Sequence, residues 1–92
     1  MTISTENAMT IALQAVAFVV ADEESRAGLL RMTGIGPEDL RTGLENTEIL
    51  GGVLDFLLAN EPRLLTFCRE AGIKPELPAL ARAQLSGGTP EW

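Results

Sequence analysis

Thr33-Gly34-Ile35-Gly36-Pro37-Glu38 returns thirty-eight residues later as Ala71-Gly72-Ile73-Lys74-Pro75-Glu76. Sliding Leu13–Glu38 onto Gly51–Glu76 needs no gap, and eight of the 26 positions coincide. Besides the turn residues, the identities are Phe18/Phe56, Ala21/Ala59, Glu23/Glu61 and Arg31/Arg69. The repeated stretch reads as a helix stop followed by a new start. Gly34 and Gly72 suit a left-handed C′ position, where a Cβ is penalised. Ile35 and Ile73 then fall at C″, to pack on Leu30 or Cys68 as in a Schellman motif. Pro37 and Pro75 follow where a missing N–H costs nothing, each trailed by a glutamate suited to a helix start. Each copy says helix, sharp turn, helix.

Working outward, apolar spacing predicts a helix from about Asn7 to Val20, with Met1–Glu6 frayed. Its core stripe would be Met9, Leu13, Val16 and Val20, with Ile11, Ala15 and Phe18 beside it. Asp22 caps a second helix running to about Thr33 that buries Leu29, Leu30 and Met32. A short third helix, Pro37 to about Leu44, offers Leu40 and Leu44 to the core. Asn46 or Thr47 caps a fourth, Glu48–Ala59, striped with Leu50, Val53, Leu54, Leu57 and Leu58. Asn60 and Pro62 open a fifth. Pro78 stands where the first copy has Leu40, so a turn at 75–77 and a helix from Pro78 to about Leu85 are expected. Residues 86–92 read as a flexible Gly/Pro tail ending in Trp92.

The expected fold is therefore all-α: a compact bundle of five to six helices in one domain spanning 1–92. It would be built from two pseudo-two-fold-related helix–turn–helix units, 13–46 and 51–85. Two copies are too few for a solenoid, which needs at least three repeats. The first and fourth helices would cross at the centre.

Composition narrows function mainly by exclusion. Seven cations against 13 anions give a net charge of −6, ill suited to a phosphate backbone or an anionic membrane. There is no histidine and no tyrosine, which removes the commonest general base and zinc ligand. Cys68 stands alone, which points to a reducing, cytoplasmic setting. The first cation is Arg26, so Ile11–Ala21 lacks the basic flank of a signal peptide, and no apolar run approaches membrane-spanning length. No enzyme activity, cofactor, metal or small-molecule substrate is expected.

Leu30-Arg31-Met32-Thr33-Gly34-Ile35-Gly36-Pro37 looks like the helix-hairpin-helix turn, in which N–H groups between the glycines meet a phosphate. Glu38 and Asp39 stand where that phosphate would approach, and Lys74 replaces the second glycine in the other copy. As a dinucleotide fingerprint Gly34-Ile35-Gly36 is weaker still, because no strand precedes it. Asp22-Glu23-Glu24 reads as a helix cap rather than a metal site, since consecutive residues do not converge. Asp55 interrupts an apolar helix beside Gly51 and Gly52, a strip where another backbone could approach and where Arg31 or Arg69 could pair with it. A solvated polar strip is the plainer reading. Cys68 reads as a buried, inert thiol.

The run Ala12–Phe18, the helix Val53–Ala59 with Leu57-Leu58-Ala59-Asn60-Glu61, and both Gly-Ile-x-Pro-Glu turns together resemble domain-of-unknown-function family 3572. The resemblance covers about Ala8–Leu85 and implies a short alphaproteobacterial helical protein with no catalytic residue to carry over. A protein–protein interaction or dimerisation module is the first functional expectation. It would use an apolar patch on the first or fourth helix, with Phe18, Phe56 and Asp55 as contacts. A nucleic-acid accessory using the Gly34-Ile35-Gly36 turn is the second.

Overall fold

In a computed structural model, which describes residues 3–85, six helices follow one another with short connections. They are α1 (Thr5–Val20), α2 (Glu23–Thr33), α3 (Pro37–Thr42), α4 (Thr47–Leu58), α5 (Glu61–Ala71) and α6 (Leu77–Leu85). The radius of gyration is 12.2 Å, close to the ~13 Å of a folded chain of about 100 residues. The expected tail 86–92 lies outside the described residues.

Local chemistry sets each start. Ser4 accepts from the Asn7 N–H, so α1 begins before the expected Asn7 and takes in Thr5 and Glu6. Asp22 accepts from Ser25, Asn46 from Glu48 and Ile49, and Asn60 from Arg63. Each cap satisfies N–H groups that have no carbonyl partner within the helix. Pro78 is the second residue of α6, where its missing N–H breaks nothing.

The two repeated glycines are the described residues with positive φ, Gly34 at 80° and Gly72 at 71°. Their closures differ. At Gly72 the Ile73 N–H donates to Cys68 O (3.0 Å) and the Gly72 N–H to Arg69 O (3.3 Å), the paired bonds of a Schellman motif. At Gly34 only the glycine N–H returns to the helix, to Leu30 O (2.8 Å). The Ile35 N–H donates instead to Thr33 Oγ1 (3.1 Å), whose hydroxyl in turn donates to Leu29 O (2.7 Å). A hydroxyl where the second copy has Ala71 accounts for the difference. An added Cβ would meet nothing within 4 Å at either glycine, so alanine there is strained by its backbone alone. Gly34→Ala and Gly72→Ala are each expected to cost about 1 kcal/mol. Unchanged denaturant midpoints would contradict the left-handed assignment.

The centre is built from three helices rather than two. α6 lies across both α1 and α4, which also pack on each other. The α1 seam is rotated from the expected stripe. Ala8, Ala12, Ala15 and Val19 are fully buried, together with Ile11 and Val16, while Leu13 and Val20 are exposed. Small side chains let neighbouring axes approach closely, so alanines rather than the larger residues take the contact. On α2, Leu29 is buried with Ser25 and Gly28, whereas Leu30 and Met32 are exposed. Leu40 enters the core, but α3 ends at Thr42 and Leu44 stays outside. On α4 the expected stripe holds at Leu50, Val53, Leu54 and Leu57, which are fully buried, but Leu58 is only half-buried and Phe56, expected beside the stripe, is core.

The two copies exchange contacts. Phe18 of α1 meets Phe67 of α5, ring centroids 5.4 Å apart and tilted by 60°. Its counterpart Phe56 of α4 lies against Gly28 of α2, where an added Cβ would sit 3.1 Å from the ring. Each copy's phenylalanine thus packs on the other copy's second helix. The third helices break the pattern, since six-residue α3 lies at the edge while nine-residue α6 enters the centre.

Candidate interaction surfaces

Four places answer to the features singled out in the sequence. The first is the Gly34 turn. Its three N–H donors are all engaged: Gly34 by Leu30 O, Ile35 by Thr33 Oγ1, and Gly36 by Asp39 Oδ2 at 2.9 Å. Asp39 therefore holds the position an incoming phosphate would take. Ile35 is buried, and its Cδ1 would lie 2.7 Å from a Cβ on Gly52. Ile35 is thus directed at α4.

The second is the strip on α4. Asp55 does pair with an arginine across the bundle, but with Arg82 of α6 (Nε to Oδ1, 2.8 Å) rather than Arg31 or Arg69. The guanidinium fills the space over Gly51, where a Cβ would stand 2.8 Å from Nη1. Side chains, not another backbone, occupy the glycine strip. The pair is half-exposed, so it is worth on the order of 1 kcal/mol or less. Asp55 holds α6 to α4. Phe56 is 3% exposed, with Arg63 over its ring at 4.6 Å from the centroid, and is core rather than contact surface. Phe18 is half-buried.

The third is a cleft of about 540 Å³ where the starts of α2 and α5 meet above Phe18. Several of its polar groups are engaged within the fold, while Glu24 and Glu70 also line it. Asp22 takes the Ser25 N–H (3.0 Å) and hydroxyl (2.8 Å), Asn60 takes the Arg63 N–H, and Arg63 lies on Phe56. The Ser25 bonds hold the Asp22 carboxyl below its ordinary pKa. This is the capping role expected for Asp22. Cys68 is buried, and burial, with the Glu76 charge behind it, pushes its thiol up. Such a thiol is a poor nucleophile. Among the described residues no group of three or more His, Cys, Asp or Glu is placed to hold a metal ion.

The fourth is apolar. Val16 and Val20 of α1 face Pro37, Leu40 and Leu44 across a groove of about 240 Å³. Val20 and Leu44 are each 41% exposed, and Leu13, one turn back from Val16, is equally open. Arg26 and Arg41 stand among the lining residues, which include no carboxylate. Arg26 Nη1 donates to Val20 O, covering a carbonyl at the end of α1, whose last turn holds no basic residue. Arg41 pairs with Glu38 one turn away, both side chains exposed. This apolar groove lies on the first helix, joined to the end of the third, while Leu30 and Met32 leave further apolar surface open on α2. Sequence reading placed Val20 and Leu44 in the core, and it passed over Arg26, Arg41 and Arg82. Arg82 did leave a signal, as the lone charge in Leu77–Leu85.

The described residues form a small all-α bundle in which both glycine turns and four of the helix starts are capped internally, and whose surface includes an apolar groove. The chain belongs to the family described as Protein of unknown function (DUF3572), whose model matches residues 5–88. No curated protein and no solved structure matches it. No helix among the described residues is long and apolar enough to cross a membrane.

Proposed function

We infer that the protein is a non-catalytic interaction module that receives another polypeptide on the groove between α1 and α3. The observation that carries this reading is the joining of Val20 and Leu44, both open to solvent, with Val16, Pro37 and Leu40 in one concave apolar surface. Concave apolar surfaces on helical domains take the apolar face of a partner helix. At about 240 Å³ the groove falls below the ~300–1,000 Å³ typical of small-molecule sites and holds side chains instead. The reading as a nucleic-acid accessory draws no support from the Gly34 turn, whose donors are engaged.

The test places a photo-crosslinking residue at Leu44 and, as a control, at Leu65, an equally open leucine on α5. Irradiation in native extract should give protein adducts from position 44 and few from position 65. Equal labelling from both sites would remove the groove's special status. Adducts to nucleic acid would favour the second reading.

A further inference from the structure

We propose that the occupant of this groove is an acidic amphipathic helix of another protein rather than a second copy of this chain. The inference rests on the groove reading above and concerns the chemistry of the partner. Thirteen carboxylates outnumber seven cations in the whole chain. At the groove the balance inverts: the charged lining residues are Arg26 and Arg41. Neither is consumed by its present contact. Arg26 spends one arm on Val20 O, which fixes the side chain beside the groove, and a guanidinium carries five N–H donors. Arg41 is held by Glu38 alone in an exposed pair that a better-placed carboxylate can replace.

Two arginines flanking an apolar slot match a helix with apolar residues at i, i+4 and i+7 and carboxylates beside them. A second copy fits poorly. In a two-fold interface one patch serves both sides, so two copies of a lining that holds Arg26 and Arg41 and no carboxylate would be brought to one seam. Elsewhere the chain's own negative charge repels an acidic partner, so an acidic preference can arise only where the local sign is reversed.

The experiment is selection from a displayed library of helices about 16 residues long, long enough to be helical in water. The library keeps the apolar spacing and randomises flanking positions among Glu, Gln and Lys. Enriched sequences should carry Glu beside the apolar positions. Their binding should be lost on Leu44→Ser and fall about tenfold on Arg41→Gln, with affinity dropping as salt rises. Arg26→Gln should add to the loss. Because Arg26 also covers an α1 carbonyl, Arg41→Gln is the decisive variant. Enrichment of Gln or Lys with dependence on Leu44 would overturn the acidic assignment and leave the groove reading standing. A Leu44-dependent dimer in sedimentation, with no enrichment, would transfer the groove to a second copy. Enrichment insensitive to Leu44, or a monomer that enriches nothing, would end both.

Discussion

Phe67→Ala should lower the unfolding free energy by about 3–5 kcal/mol, the range for removing a buried aromatic side chain. Phe67 is 1% exposed and its ring is tilted by 60° against that of Phe18. The loss combines transfer, the cavity left behind and a tilted aromatic pair worth a further ~0.5–1.5 kcal/mol. Set against the roughly 5–15 kcal/mol by which a small domain is stable, that loss removes a large fraction of the total and should shift the denaturant midpoint strongly downward. Leu65→Ala, two residues away and exposed, should stay within about 1 kcal/mol of the parent. Denaturant titration of the pair is the measurement. Equal midpoints would mean that α5 does not seat Phe67 as described.

The contrast between Phe67 and Leu65 shows where sequence reading runs out. Both are apolar residues of one helix, and both turns, three N-caps (Asp22, Asn46 and Asn60) and all six helices were legible from glycine, proline and capping chemistry, whereas the Ser4 cap was missed. Those features are local, decided within four or five residues. What was not legible was rotation about a helix axis. On α1 the larger residues Leu13 and Val20 outweigh alanine in any hydrophobic pattern, yet Ala8, Ala12 and Ala15 are fully buried. Which side faces inward depends on how closely α6 and α4 approach, and α6 lies more than fifty residues further along the chain.

The same rotation decides the candidate site. Val20 and Leu44 read as core because nothing local distinguishes a leucine that is covered from one that is left at an edge. Leu44 is left out because α3 stops at Thr42, with Gly43 beneath Ile49. Phe56 read as an exposed contact because it flanks the α4 stripe, but α2 presents a glycine to it. Asp55 signalled a partner correctly, and the partner was misplaced. The repeated arginines Arg31 and Arg69 drew attention to the duplicated helices. The pairing residue sits on α6, where the two matched stretches of sequence differ.

Gly28→Val is expected to destabilise the protein by about 1–3 kcal/mol, although valine has the better helix propensity. A Cβ at Gly28 would stand 3.1 Å from Phe56 Cζ and 3.2 Å from Cε1. Phe56 cannot swing away easily, because it is buried and Arg63 covers its ring. A single methyl forces a small shift, so Gly28→Ala should be near neutral, steric cost offsetting the ~1 kcal/mol gain over glycine in a helix. A branched side chain leaves no such balance. Phe56→Leu should open space and restore part of the loss. The double variant should then be more stable than the summed single effects predict by at least about 0.5 kcal/mol. The cycle tests more than a clash, because Gly28 and Phe56 belong to different stretches of the repeated sequence. Strict additivity would mean that Phe56 does not reach α2, and the exchange of phenylalanines between the copies would be lost with it.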